Sequence, residues 1–202
     1  FSDFINDYSE IILHDKDYDS KQHKVFLFGH SMSTAVLLAA AENLKNIAGA
    51  ILVNPPYIQK KAKGMSPGFG QYLKYAFYYL FAKHKLIVNM AGDPSKIENE
   101  EDRHDAEQRA NDNFLVKHFS MYYMSEVRKL INSSLDYCQK ADYPLLLIYG
   151  MKDSIADKKG CDLIYKNWKH ENKEYQLIKD GTHGKSTVLL SKEIINKWIK
   201  DK

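Results

Sequence analysis

The sequence has little of what several protein classes require. No apolar run approaches the length of a membrane-spanning helix. Only 2 cysteines, Cys138 and Cys161, occur in 202 residues, too few for a disulfide framework, which fits a reducing compartment. No His/Cys cluster has zinc spacing and no Gly-x-x-x-x-Gly-Lys-Ser/Thr loop is present, so no metal site and no cofactor is expected. Charge of one sign is also scarce. The 29 basic and 26 acidic residues leave a formal charge of +3 with no basic stripe, which argues against nucleic acid as a partner. There are 5 prolines, 10 glycines, no low-complexity tract and no internal repeat. No secretory signal is visible, although the chain begins at Phe1 rather than Met. A cytoplasmic or peripheral-membrane location is expected.

What the chain does have is apolar residues, 44% of the total, enough for a sizeable single core. Phe4, Ile5, Tyr8, Ile11 and Ile12 recur at helical spacing within 2–14, and 15–24 is a polar connection. Val25-Phe26-Leu27-Phe28 reads as a buried strand, and Thr34 to Glu42, rich in Ala and Leu, as a helix. Between them lies Gly29-His30-Ser31-Met32-Ser33, one residue short of the Gly-x-Ser-x-Gly of a nucleophile elbow. So sharp a turn needs small residues beside the serine, and the helix that follows offers free N–H groups to an oxyanion. Alone the motif is weak. The strand and helix around it give it value.

Gly49 to Val53 predicts a second strand, stopped by Asn54-Pro55-Pro56 because proline cannot donate to a ladder. Helix, strand, helix, strand implies a parallel sheet. From Tyr57 the pattern loosens. Residues 60–70 form a basic linker, 71–85 an aromatic-rich helix with Tyr72, Leu73, Tyr75, Phe77, Tyr78, Tyr79, Leu80 and Phe81, and 93–113 a strongly polar stretch. This block looks like a cap rather than another sheet layer. Its aromatics either pack the insert onto the main domain or line a path for an apolar substrate. Residues 114–140 return to helical spacing, Leu145 to Tyr149 is a third strand, 160–169 a helix, Tyr175 to Ile178 a fourth strand, and 186–200 a closing helix. The domain boundaries are therefore set at 1–56, 57–125 and 126–202, a core interrupted by a cap.

Three residues each follow a predicted strand, at the edge where open α/β sheets bind ligands. They are Ser31, Asp153 and His183. A serine hydroxyl is a poor nucleophile until a histidine takes its proton, and that histidine needs an acid on its other nitrogen. Each has a bland alternative. Ser31 could be a helix cap, Asp153 could cap the next segment with Asp157 as a rival acid, and His183 could be an ordinary loop histidine. His14, His23, His84, His104, His118 and His170 read as solvated, and His30 packs beside the serine. Glu98, Glu100, Glu101 and Asp102 read as a solvated face. Three correct types after three strands, in the order Ser, Asp, His, match the order of α/β-hydrolases.

Gly29-His30-Ser31-Met32, Tyr143 to Asp153, Ile155 to Gly160, Lys179 to His183 and Asn111 to Leu115 together resemble the monoacylglycerol lipases and lysophospholipase-like serine hydrolases. The likeness spans nearly the whole chain and is weakest over 57–110. It implies an α/β-hydrolase fold, a mostly parallel sheet flanked by helices with a helical cap insertion. It also implies Ser31 as nucleophile, Asp153 as acid, His183 as general base and the Met32 amide as one oxyanion donor. The expected activity is hydrolysis of a lipid-like carboxylic ester, a monoacylglycerol or lysophospholipid, with transient membrane-surface contact through the cap. A short-chain esterase, thioesterase or peptidase, or a silent family member that binds apolar ligands, are the alternatives.

Two departures stand out. Ser33 replaces the glycine that usually follows the nucleophile, which bears on close helix packing. The strands that the family carries before its nucleophile strand, with the loop that gives a second oxyanion N–H, are absent from the sequence. Val25 to Phe28 is accordingly expected to present an open apolar edge, and the 202 residues to be part of a longer protein. Losing one oxyanion donor typically costs about 10²–10³ in rate, so the segment by itself is expected to be weak.

Overall fold

A computed structural model of the chain describes residues 2–14, 24–60, 69–89, 94–96 and 100–202. The connection 15–23 and most of the basic linker, 61–68, lie outside the described residues. In chain order the elements begin with α1 (Ser2–Leu13), β1 (Val25–His30), α2 (Ser33–Ala41) and β2 (Ile47–Val53). Next come α3 (Phe69–Phe81), β3 (Leu86–Asn89), α4 (Glu100–Asn111), β4 (His118–Ser120), α5 (Met121–Asn132) and α6 (Ser134–Cys138). The chain closes with β5 (Leu145–Gly150), α7 (Lys158–Asn167), β6 (Lys173–Ile178), α8 (Lys185–Leu190) and α9 (Lys192–Lys200). They form two compact units, Phe1–Lys60 with Lys129–Lys202, and Lys61–Arg128.

The first unit is built on a four-stranded sheet in the order β1-β2-β5-β6, every pair parallel. Strand alternation sorts its side chains to two faces. Leu145, Leu147 and Tyr149 of β5 join Leu27, Leu52, Leu37, Leu38, Ile164 and Trp168 on one side. Leu146 and Ile148 join Ile51, Val53 and Trp198 on the other, where Phe26, Val188, Ile195 and Ile199 pack against them. Buried on both faces, β5 has no use for alternating polarity, so it reads as the continuous apolar run Leu-Leu-Leu-Ile-Tyr. Helix α2 is apolar nearly all round for a similar reason. It lies between the sheet and α1, whose buried Ser9 donates to the Ala40 carbonyl at 3.4 Å. Gly49 leaves room for the Trp198 indole; a Cβ there would stand 2.4 Å from its ring.

In the second unit α3 exposes Tyr72, Leu73, Phe77, Leu80 and Phe81. Two elements of this unit differ from expectation. Leu86–Asn89 and His118–Ser120 pair as a two-stranded antiparallel ribbon, so the insert is not purely helical. Strands of four and three residues are too short for periodicity to reveal. The polar stretch becomes α4, with Ala106 fully buried and Glu100 and His104 exposed.

Two predicted helices are interrupted. The one expected over 114–140 starts only at Met121 and breaks at Ser133, giving α5 and α6. The closing helix breaks at buried Ser191, whose hydroxyl donates to the Thr187 carbonyl at 2.7 Å. Its backbone leaves the helical region at φ −95°, ψ 2°, the local competition with helix geometry expected of serine. Among the described residues no strand pairs with the outer side of β1, and Phe28 there is 43% exposed.

Candidate active site

Three strand ends converge at the carboxyl edge of the sheet. β1 ends in a turn so tight that a Cβ on Gly29 would stand 2.9 Å from the Thr34 Cα. Ser31 sits at its apex with φ 56°, left-handed backbone that a non-glycine residue adopts only where its surroundings enforce it. They do so here. The Ser31 N–H donates to the Val53 carbonyl at 2.9 Å, and its own carbonyl accepts from the Thr34 N–H at 3.0 Å and hydroxyl at 2.7 Å. Ser33 fits the turn without its usual glycine. Its exposed hydroxyl accepts from the His30 N–H at 2.9 Å and donates to the His30 carbonyl at 2.8 Å. Because the Ser31 N–H points to β2, the His30 N–H points to the open side, and Ser33 satisfies it there. Met32 is the N-cap of α2, where its N–H has no intrahelical carbonyl to reach.

The acid loop leaves β5 at Gly150. Asp153, its side chain fully buried, accepts on Oδ1 from the N–H groups of Ile155 and Ala156, both at 2.7 Å. Its Oδ2 faces the Nδ1 of His183 at 2.8 Å. A carboxylate can only accept, so Nδ1 carries the proton and Nε2 is left as the acceptor. The Ser31 hydroxyl lies 2.7 Å from that Nε2. The structure thus brings together Ser31, His183 and Asp153 in one hydrogen-bonded line. Asp157, the rival acid, is turned away to cap α7, its carboxylate accepting from the Lys159 N–H at 2.9 Å.

The acid and histidine loops are bound to each other. The Lys152 N–H donates to the Gly181 carbonyl and the Met151 N–H to the Ile178 carbonyl, both at 2.9 Å. The two glycines cross so closely that a Cβ on Gly150 would stand 2.5 Å from the Gly181 oxygen and 2.3 Å from the Thr187 hydroxyl. Residues just before the second compact unit brace the acid loop from outside. The Asp157 N–H reaches the Ile58 carbonyl at 2.8 Å, the Lys60 N–H reaches the Ile155 carbonyl at 2.7 Å, and the Lys60 ammonium donates to the Asp153 carbonyl.

Two side chains meet the histidine loop that sequence reasoning did not place there. His30 was expected beside the serine, but its Nε2 donates to the His183 carbonyl at 2.7 Å. Burial pushes its imidazole below the ordinary value, and the neighbouring His183 ring adds to this, while the His183 carbonyl and Asp153 oppose it. In the sequence Asn54 marks only the end of a strand. It is fully buried with φ 49°, and its amide bridges the histidine and acid loops. An Asn after a strand and before Pro-Pro is the one local signal of such backbone.

The other histidines lie elsewhere. His14, His84, His104 and His118 are exposed, His170 is half-buried with Nδ1 accepting from the Asn172 N–H at 3.0 Å, and His23 is outside the described residues. Glu98 is outside them too, and of the Glu101 side chain nothing is described. Among the described residues no group of three or more His, Cys, Asp or Glu could hold a metal ion. None of their helices is long and apolar enough to cross a membrane.

Solved structures of similar architecture share this frame. The monoacylglycerol lipase of Paleococcus ferrophilus is 18% identical, with 98% of this chain and 76% of that one covered and a TM-score of 0.71. A soluble variant of monoglyceride lipase from Saccharomyces cerevisiae, in complex with a substrate analogue, is 19% identical over 100% and 68% of the two chains, with a TM-score of 0.74. A thermophilic esterase from Thermogutta terrifontis is 16% identical over 98% and 71%, with a TM-score of 0.57. At such identities the likeness carries the fold, which is that of the α/β-hydrolases, and no curated protein matches the sequence. A family model described as serine aminopeptidase, S33, matches residues 1–186, nearly the whole chain. The chain therefore belongs to the S33 family of serine hydrolases, within the α/β-hydrolase fold.

Proposed function

We propose that this protein hydrolyses carboxylic esters of lipid-like substrates, a monoacylglycerol or lysophospholipid, through an acyl-enzyme on Ser31. One observation carries the reading: the Ser31 hydroxyl is 2.7 Å from His183 Nε2 while His183 Nδ1 is 2.8 Å from Asp153. In the first step the Ser31 oxygen attacks the ester carbonyl as its proton passes to His183 Nε2. Asp153 holds the ring and balances the imidazolium. The tetrahedral oxyanion accepts from the Met32 N–H at the start of α2. His183 then gives its proton to the leaving alcohol, and the acyl group stays on Ser31. Water repeats the sequence, with His183 again taking the proton, and frees the acid and the serine.

The lipid half of the reading draws on the two lipases among the structural neighbours and on the exposed aromatic surface of α3, which offers apolar contact to a lipid surface. The description of the matched family favours a second reading, an aminopeptidase using the same serine. A fluorophosphonate probe is expected to label the wild type and not Ser31→Ala; labelling that persists in the variant removes Ser31 from its role. Rates on p-nitrophenyl esters of increasing acyl length, set beside an aminoacyl anilide, separate the substrates. Turnover confined to acetyl and butyryl esters, or to the anilide, overturns the lipid assignment.

A further inference from the structure

We infer that Asn54 is a positioning residue, one that sets His183 against Asp153 by bridging the two loops that carry them. The inference rests on the reading of Ser31, Asp153 and His183 as the reacting group. Asn54 follows β2, which contributes no residue to the hydrogen-bonded line, yet its amide reaches both of the loops that do. Its Oδ1 accepts from the Gly150 N–H at 2.8 Å, at the root of the acid loop. Its Nδ2 donates to the Thr182 carbonyl at 2.9 Å, on the peptide that leads into His183. The orientation of the amide is fixed by its partners, since a carbonyl demands the NH₂ group and an N–H demands the oxygen. Its own N–H donates to the Ile148 carbonyl at 2.9 Å, so the bridge is footed on β5.

Three features separate this amide from an ordinary buried polar group. First, its backbone lies at φ 49°, a conformation that asparagine tolerates better than other side-chain-bearing residues. The strain is kept where it aims the amide between two functional loops. Second, the residue is completely buried, so both bonds are made away from bulk solvent and removing the side chain takes a fixed partner from the Gly150 N–H and the Thr182 carbonyl. Third, it works beside His30. Thr182 and His183 offer consecutive carbonyls, and the two are taken by Asn54 Nδ2 and His30 Nε2 from the ends of adjacent strands. The Thr182 carbonyl also accepts from the Thr187 hydroxyl, which holds the loop to α8. Thr187 anchors the loop to its own helix, whereas the Asn54 amide adds a side-chain bridge from it to the acid loop, beside the backbone bonds of Met151 and Lys152. A drift of about 1 Å in a reacting group can cost about 10²-fold in rate, which is the scale this bridge guards.

The test uses two variants and a control. Asn54→Gly keeps the left-handed backbone and deletes the amide. Asn54→Asp is isosteric, keeps the acceptor for Gly150 and, at alkaline pH where its buried carboxyl is ionised, turns an oxygen that cannot donate toward the Thr182 carbonyl, so it is read there. Asn46→Gly is the control, since Asn46 shares a positive φ of 59° but precedes β2 at the opposite end of the strand. Two readouts are taken: the downfield exchangeable proton of the His183–Asp153 hydrogen bond by NMR, and the rate of fluorophosphonate labelling at Ser31. Both Asn54 variants are expected to lose or broaden the NMR signal and to label about 10²-fold more slowly, with ester KM little changed, while Asn46→Gly matches the wild type. If Asn54→Gly does not fold, Asn54→Asp decides the matter. A wild-type NMR signal in Asn54→Asp overturns the inference, as does a slowing shared by Asn46→Gly. A wild type that gives the NMR signal but never reacts with the probe overturns the functional reading, and the NMR comparison still tests the bridge.

Discussion

β5 and β1 each deliver a residue to the site, yet they are held in different ways. β5 lies between two strands with all six residues buried, and its loop is tied to the histidine loop by backbone bonds and crossed glycines. β1 has one neighbour among the described residues, an exposed Phe28, and a turn held by a strained serine, the residues that follow it and one bond to β2. The acid and histidine are positioned by tertiary structure. The serine is positioned mainly by its own turn, with a single bond to β2. The two halves should therefore fail separately when disturbed.

The largest effect is expected from Gly150→Ala. A methyl 2.5 Å from the Gly181 oxygen cannot be housed without parting the two loops, and a loss of about 3 kcal/mol in urea unfolding is expected, with the His183–Asp153 proton signal gone. Gly29→Ala meets the Thr34 Cα at 2.9 Å, but at an edge that can yield, so about 1–2 kcal/mol and slower probe labelling are expected with the His183–Asp153 signal retained. Equal losses in the two variants would erase the distinction. Ser33→Ala is smaller again. Removing the hydroxyl leaves the His30 N–H without its acceptor, for about 1 kcal/mol in the same unfolding experiment. A more stable Ser33→Ala would mean that the elbow gains nothing from this serine.

The smallest effect is in pH. Because burial lowers the folded-state pKa of His30, the unfolded chain binds the proton more readily. The stabilisation is complete above the ordinary histidine pKa of about 6.5 and is lost as pH falls through that value toward the lower folded one. Thermal melts from pH 8 to pH 5 should fall more steeply for the wild type than for His30→Gln. Parallel curves would show that His30 is solvated.

The same contrast explains what could be read from the sequence. The four core strands, and the loops carrying Ser31, Asp153 and His183, are written in local signals: apolar runs, a small-residue turn, and Gly beside Asp or His. Asn54 was not legible as a bridge because its meaning comes from Gly150 and Thr182, 96 and 128 residues away. The breaks at Ser133 and Ser191 were missed because a serine inside an amphipathic pattern changes its periodicity little. The β3–β4 pair was missed because the pairing, not the seven residues themselves, makes it a ribbon.

The two cysteines give the serine a further advantage. Cys138 and Cys161 are wholly buried, and burial pushes each thiol up to about 12, so neither presents a thiolate near neutral pH. An electrophile indifferent to whether it meets an alkoxide or a thiolate would find no competing thiolate on the folded chain. With Ser31 as the nucleophile, covalent inhibitors of mixed reactivity should therefore meet no thiolate that competes with it, and thiol-specific reagents should leave the folded chain unlabelled.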